Sequence, residues 1–281
     1  MIATVIVSHT SSAMKQHSAQ WNIWLKGVIV DLQLSGRIAV VTGAASGMGR
    51  AVAVALATEG AIVVGADLNL DGAEKTAQDL RDKGLSMRAH QLDVTSRESW
   101  RALRDSVLAT EGPVDVLANV AGPGAKTGHL DTDDTEWRRQ VSGHLDGVFI
   151  GCQTFLPDMM ERRYGKIINM CSFTAHGISG SIPGYGAAFG GILAYTKDLA
   201  RFAAPYNINV NCVSPGNIET AMTRDGWLDQ PGALERLREN TPIGRVGQPE
   251  DVSSWFAFLA SDRSQHAVGI EINVSGGQLF T

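Results

Sequence analysis

Between residues 37 and 274, short apolar runs alternate with amphipathic stretches, giving strand–helix units of roughly 25–30 residues. This alternation restricts the fold more than any other feature of the sequence. Strands are expected at 37–41, 62–66, 86–92, 114–119, 166–171, 207–213 and 271–274. Helices are expected at 47–59, 71–83, 96–110, 135–162, 183–204, 232–240 and 249–260. The strands are continuous apolar runs, the pattern of strands covered on both faces. Units of this length connect parallel strands through crossover helices, so the expectation is an α/β chain with a doubly wound parallel sheet. No linker, low-complexity tract or internal repeat divides it, and 32–281 reads as a single domain.

Composition narrows the function. Lys and Arg number 24 against 29 Asp and Glu, a formal charge of −5. A mildly acidic chain without a basic stripe is not expected to bind nucleic acid. No run approaches the ~18 apolar residues of a membrane span. Cys152, Cys171 and Cys212 form no CxxC motif, so neither a disulfide scaffold nor a metal site is expected. A cytoplasmic enzyme fits this balance. Residues 1–31 are expected to form a poorly ordered N-terminal extension, with Met14 as an alternative start. The apolar stretch 1–7 has no basic residue before it, so it does not read as a secretory signal. Glycine is enriched, with 31 residues.

Several of these glycines stand where they can serve a ligand. Thr42-Gly43-Ala44-Ala45-Ser46-Gly47-Met48-Gly49 follows the first expected strand and opens the first expected helix. At that position an open parallel sheet binds a dinucleotide: glycines let the backbone approach a pyrophosphate, and the helix N-terminus offers free N–H groups. Asp67 ends the second strand, with Leu68 after it. A carboxylate there accepts hydrogen bonds from ribose hydroxyls and repels a 2′-phosphate, which favours NAD(H) over NADP(H). Arg50, a cation near the turn, is the feature that keeps NADP(H) in play.

These residues, with others spread along the chain, resemble the short-chain dehydrogenase/reductase family over roughly residues 34–277. The matching pieces are Thr42–Gly49, Asp93-Val94, Asn119-Val120-Ala121-Gly122, Ser172, Tyr185, and Pro215-Gly216 with Thr220. The resemblance implies a Rossmann fold and a cofactor site of Gly43, Ser46, Gly47, Met48, Gly49, Asp67, Leu68, Asp93, Val94, Asn119, Ala121, Gly122, Tyr185, Pro215, Gly216, Ile218 and Thr220. Within it, Asp93 would bind the adenine amino group, Asn119 would brace the central strands, and Pro215-Gly216 with Thr220 would bracket the carboxamide. The resemblance also implies that Tyr185 moves the proton and Ser172 bonds the substrate oxygen.

Two positions depart from the family. A Lys is expected four residues after the Tyr, and Phe189 stands there. Lys197 lies too far along the same helix, about 18 Å from Tyr185. An Asn is expected seven residues after Trp137, and His144 stands there. Histidine titrates near neutrality and both donates and accepts protons. His144 is therefore a third catalytic candidate, either hydrogen-bonded to Tyr185 or acting as the base. Phe189 is expected to fill the Lys space with apolar volume and to hold the cofactor less firmly.

The pocket should open above the C-terminal ends of the strands. Pro123, Gly124, Phe173, Thr174, Ile182, Asn217 and Trp227 are expected to line it, which suits a substrate with an apolar body. His176 and Lys126 are candidates for a polar or anionic group. The leading reading is hydride transfer between NAD(H) and a secondary alcohol or ketone. Two others stay open: a lyase, dehydratase or epimerase on the same fold, and an NAD-binding protein without turnover. The resemblance further implies a homo-oligomer, a dimer or a homotetramer.

Overall fold

The computed structural model describes residues 31–124, 127–177, 182–224, 228 and 230–280. The N-terminal extension, Lys126 and Trp227 lie outside the described residues. Seven strands form one sheet: β1 Ile38–Thr42, β2 Ile62–Asp67, β3 Met87–Gln91, β4 Val116–Asn119, β5 Gly165–Met170, β6 Ile208–Pro215 and β7 Glu271–Val274. Their order is β3-β2-β1-β4-β5-β6-β7, and every pairing is parallel. This is the doubly wound sheet expected from the sequence.

The helices are α1 Gly47–Thr58, α2 Leu70–Arg81, α3 Arg97–Thr110, α4 Asp134–Val141, α5 Gly147–Arg162, α6 Pro183–Ala203, α7 Ala233–Asn240 and α8 Pro249–Ala260. Side-chain caps fix three of their starts. Asn69 accepts the Gly72 N–H, Ser96 that of Ser99 and Asp133 that of Glu136. Successive residues of a strand point to opposite faces. Ala39 and Val41 therefore enter one core with Val52, Leu56 and Phe256. Ile38 and Val40 enter the other with Trp100, Phe155 and Ile192.

Most boundaries fall within two or three residues of expectation, but one does not. The single helix expected at 135–162 is two helices, α4 and α5, joined by a π-helical turn, Ser142–Asp146. Its cause is local. Gly143 lets this turn press on Pro123, whose Cδ lies 2.6 Å from where a Cβ would stand. The wider turn points His144 inward, and such bulges recur at functional sites.

The bottom of the sheet is tied by Asp115. Its carboxylate accepts the Ile38 N–H at 3.1 Å and pairs with Arg162 at 3.1 Å. Asp115→Ala should strand both donors and cost about 3 kcal/mol. Urea unfolding measures this, and a loss under about 0.5 kcal/mol would mean that the tie is decorative.

Candidate active site

The winding reverses between β1 and β4, so the segments leaving them diverge and open a crevice. Thr42 braces that crevice, its Oγ1 accepting the N–H groups of Val120 and Ala121 at 2.9 and 3.0 Å. The sequence marks Thr42 only as the first residue of the glycine turn, and the brace depends on tertiary placement. In the turn, Gly43 has φ +75° and its Cα faces Ala121, while a Cβ on Gly49 would stand 2.1 Å from the Gly43 carbonyl oxygen. Neither position accepts a side chain without the backbone moving. Gly47, at φ +52°, faces Thr220 across a gap. Ser46 is the extended residue that opens α1, and Met48 packs on the core beneath.

Asp67 holds this turn from β2. One carboxylate oxygen accepts the Ala45 N–H at 3.0 Å and the other accepts that of Asn69 at 2.9 Å. Leu68 is exposed beside it. Arg50 is tied to Asp79 on α2 at 3.2 Å. After β3, Asp93 accepts from Thr95 N and Oγ1, and the Val94 carbonyl accepts from the Trp100 indole. Asn119 donates to Asn169 at 2.9 Å, and Asn169 donates on to Thr196 of α6. At the end of β6, the Gly216 N–H donates to Val274, Ile218 is buried, and Thr220 caps the short turn Ala221–Thr223. Close-approach glycines, a free helix N-terminus and a strand-end carboxylate together fit a dinucleotide.

Beyond β5 the chemistry-bearing residues converge. Ser172 caps a 3₁₀ turn, Phe173–His176, and its Oγ accepts both Thr174 N at 3.2 Å and Thr174 Oγ1 at 2.9 Å. With two bonds accepted, the Ser172 proton is left to donate. Thr174, expected to line the pocket, is instead buried as the support for Ser172. Tyr185 on α6 hydrogen-bonds Ser172; burial pushes its phenol up to about 12, with Cys171 adding to the rise and the Ser172 bond opposing it.

Phe189 is buried one turn along α6, its ring centroid 4.5 Å from that of Tyr185. The His144 ring sits 5.2 Å from Tyr185 and 4.7 Å from Phe189. The expected hydrogen bond from His144 to Tyr185 is replaced by this edge-on contact, for two reasons. Nε2 donates to the Pro123 carbonyl at 2.9 Å, and Nδ1 is pressed against Gly122, where a Cβ would stand 2.0 Å away. Burial pushes the imidazole down to about 4, opposed by its bond to Pro123 and assisted by the nearby Arg139 guanidinium. It is therefore neutral at pH 7 and a weak base.

Comparison with known proteins agrees with this geometry. A family model described as enoyl-(acyl carrier protein) reductase matches residues 43–278. The 3-oxoacyl-acyl-carrier-protein reductase FabG of Thermotoga maritima is 36% identical over 252 residues, covering 88% of this chain and 99% of that protein. The chain belongs to the short-chain dehydrogenase/reductase family. Among solved structures, L-sorbose reductase from Gluconobacter frateurii, complexed with NADPH and L-sorbose, superposes with a TM-score of 0.83 at 32% identity, covering 90% of this chain and 100% of that one. A gluconate 5-dehydrogenase from Burkholderia cenocepacia, in complex with NADP and tartrate, gives 0.84 at 33% identity, covering 88% and 97%.

Within this family the substrate side of the chain carries its own features. The Pro123 carbonyl is taken by His144, and the Gly124 carbonyl accepts from Arg139 at 2.6 Å and Gln140 at 2.9 Å. Phe173 opens the 3₁₀ turn, Ile182 precedes α6, and the Asn217 N–H donates to the Gln278 side chain at 3.2 Å. His176, a candidate for a polar substrate group, is instead bonded to Glu271 of β7. Among the described residues, no group of His, Cys, Asp and Glu is placed to hold a metal, and no helix is long and apolar enough to cross a membrane.

The His144–Gly122 contact is testable by compensation. Gly122→Ala should lower the melting temperature, an overpacking cost of about 1–3 kcal/mol. Adding His144→Ala should recover stability relative to that single variant. No recovery in thermal denaturation would show that the two residues do not share this space.

Proposed function

We propose that the chain is an NAD(H)-dependent oxidoreductase that moves a hydride between nicotinamide and a secondary alcohol or ketone with an apolar body. The observation that carries this reading is Ser172, held by two accepted bonds from Thr174 and hydrogen-bonded to Tyr185, next to the glycine cradle. When bound, the nicotinamide supplies or accepts the hydride. Tyr185 gives its phenol proton to the carbonyl oxygen on reduction and recovers it on oxidation. Ser172 donates a hydrogen bond to the same oxygen. His144 and Phe189 wall Tyr185 on two sides, so His144 acts by holding Tyr185 and the Pro123 loop in place. Pro123, Phe173 and Asn217 face the substrate.

The preference for NAD(H) rests on Asp67 at the ribose position and on Arg50 being engaged by Asp79. Relatives solved with NADPH or NADP make this worth measuring directly. The same reading includes a cytoplasmic homo-oligomer, dimer or tetramer. Exposed Trp255, Ile243 and Phe280 line a groove near β7 that would suit contact between copies.

Screening ketones with NADH and secondary alcohols with NAD⁺ by nicotinamide absorbance tests the reaction, and the absence of turnover on any of them would sink it. Asp67→Ser should narrow the preference for NADH over NADPH by at least about tenfold in kcat/KM, since it removes a charge facing the 2′-phosphate.

The missing Lys predicts a pH profile. With the phenol near 12, only about one Tyr185 in 10⁵ is ionised at pH 7. Reduction uses the neutral phenol and should be flat across neutral pH. Oxidation needs the phenolate, and its kcat/KM should climb about tenfold per pH unit between about 7 and 9. Phe189→Lys should move that climb to lower pH and tighten NADH binding. A wild-type oxidation plateau below about pH 8, or equal NADH affinity by calorimetry, would contradict the role given to Phe189.

A further inference from the structure

On the α6 face of the sheet lies a second polar cluster that the hydride reaction does not use. Glu271 opens β7, opposite Cys212 of β6. Its side chain is only 8% exposed. One carboxylate oxygen accepts from Ser214 Oγ at 2.5 Å. His176 Nε2 lies 2.9 Å and 3.0 Å from the two oxygens. A buried carboxylate needs partners, and a charge-assisted bond to His176 is among the stronger ones available.

The position of His176 gives this pair its meaning. His176 is the last residue of the 3₁₀ turn whose cap is Ser172. The near end of the turn is secured by the Cys171 N–H, which donates to Val213 of β6 at 2.7 Å. Inside the turn, Ala175 N donates to the Ser172 carbonyl and Thr174 donates twice to Ser172 Oγ. Past His176, Gly177 takes the left-handed conformation at φ +73°. The described chain resumes at Ile182, just before the helix that carries Tyr185. His176–Glu271 is thus the side-chain fastening of the far end of a turn that orients the Ser172 hydroxyl.

We propose that His176 and Glu271 form a latch that positions Ser172, so that edge strand β7 helps set the geometry of the reacting oxygen's hydrogen-bond donor. His176 is a positioning residue and acts through Ser172 and Thr174. Glu271 and Ser214 bond within the latch, and the thiols of Cys171, just after β5, and Cys212 on β6 lie near the Glu271 carboxylate.

This inference rests on the oxidoreductase reading, and the two fail differently. If no carbonyl is reduced by the wild-type protein, that reading falls. If the wild type turns over, His176→Gln and Glu271→Gln should each lower kcat about tenfold while KM for NADH stays within about twofold, since misplacing a reacting group by about 1 Å is costly. In a Ser172→Ala background, His176→Gln should have no further effect, as expected of a residue acting only through Ser172. Hydrogen exchange of the Thr174 and Ala175 amides should speed up in His176→Gln, a readout independent of activity. His176 is partly exposed, so its variant should fold even if Glu271→Gln does not. An unchanged kcat in His176→Gln, an effect that persists without Ser172, or unchanged exchange would each overturn the latch.

Discussion

Thr42 sits where the sheet reverses its winding, and its single hydroxyl oxygen holds the two N–H groups that leave β4. That bond sets the separation between the glycine turn after β1 and the Gly122 segment after β4. The close approaches follow from it: Gly43 against Ala121, Gly49 under the Gly43 carbonyl, and Gly122 under His144. A parallel sheet supplies a crevice at this point for topological reasons alone. What this chain adds is a wall with no room for side chains, and such a wall lets a polyphosphate reach backbone N–H groups.

From the same wall comes the unusual chemistry of the neighbouring site. The His144 ring occupies the space over Gly122, and the π-helical turn that brings it there exists because Gly143 packs on Pro123. With Phe189 behind it, the phenol of Tyr185 has aromatic neighbours where the family carries a cation and an amide. Apolar surroundings favour the neutral form of both Tyr185 and His144, and the two residues move in opposite directions for this one reason. The site keeps its proton on the phenol.

The places of the glycine turn, Asp67, Ser172 and Tyr185 were legible in the sequence because they attach to fixed points on a strand–helix pattern. The seven strands were legible for the same reason, as continuous apolar runs. The π-helical turn was not, because a helix with one extra residue keeps its hydrophobic periodicity on both sides, and only the Ser142-Gly143 pair hints at it. Thr42 and Thr174 escaped because a hydroxyl bonding a backbone N–H leaves no trace in spacing. His176 was read as pocket-facing, whereas its partner Glu271 lies 95 residues away along the chain. Pairing over that distance is decided by strand order, and the sequence pattern predicts parallel strands without saying which ones are neighbours.

Strand order also explains how an edge strand reaches the Ser172 turn. β7 pairs only with β6, and β6 with β5, so the Ser172 turn is two strands from the sheet's edge. Backbone pairing alone would leave that turn fixed at one end. Glu271 crosses this distance with one buried carboxylate, bonded to Ser214 on β6 and to His176 on the turn itself. Burying a carboxylate is costly unless its bonds are made, so the sheet edge and the turn are stabilised together or released together.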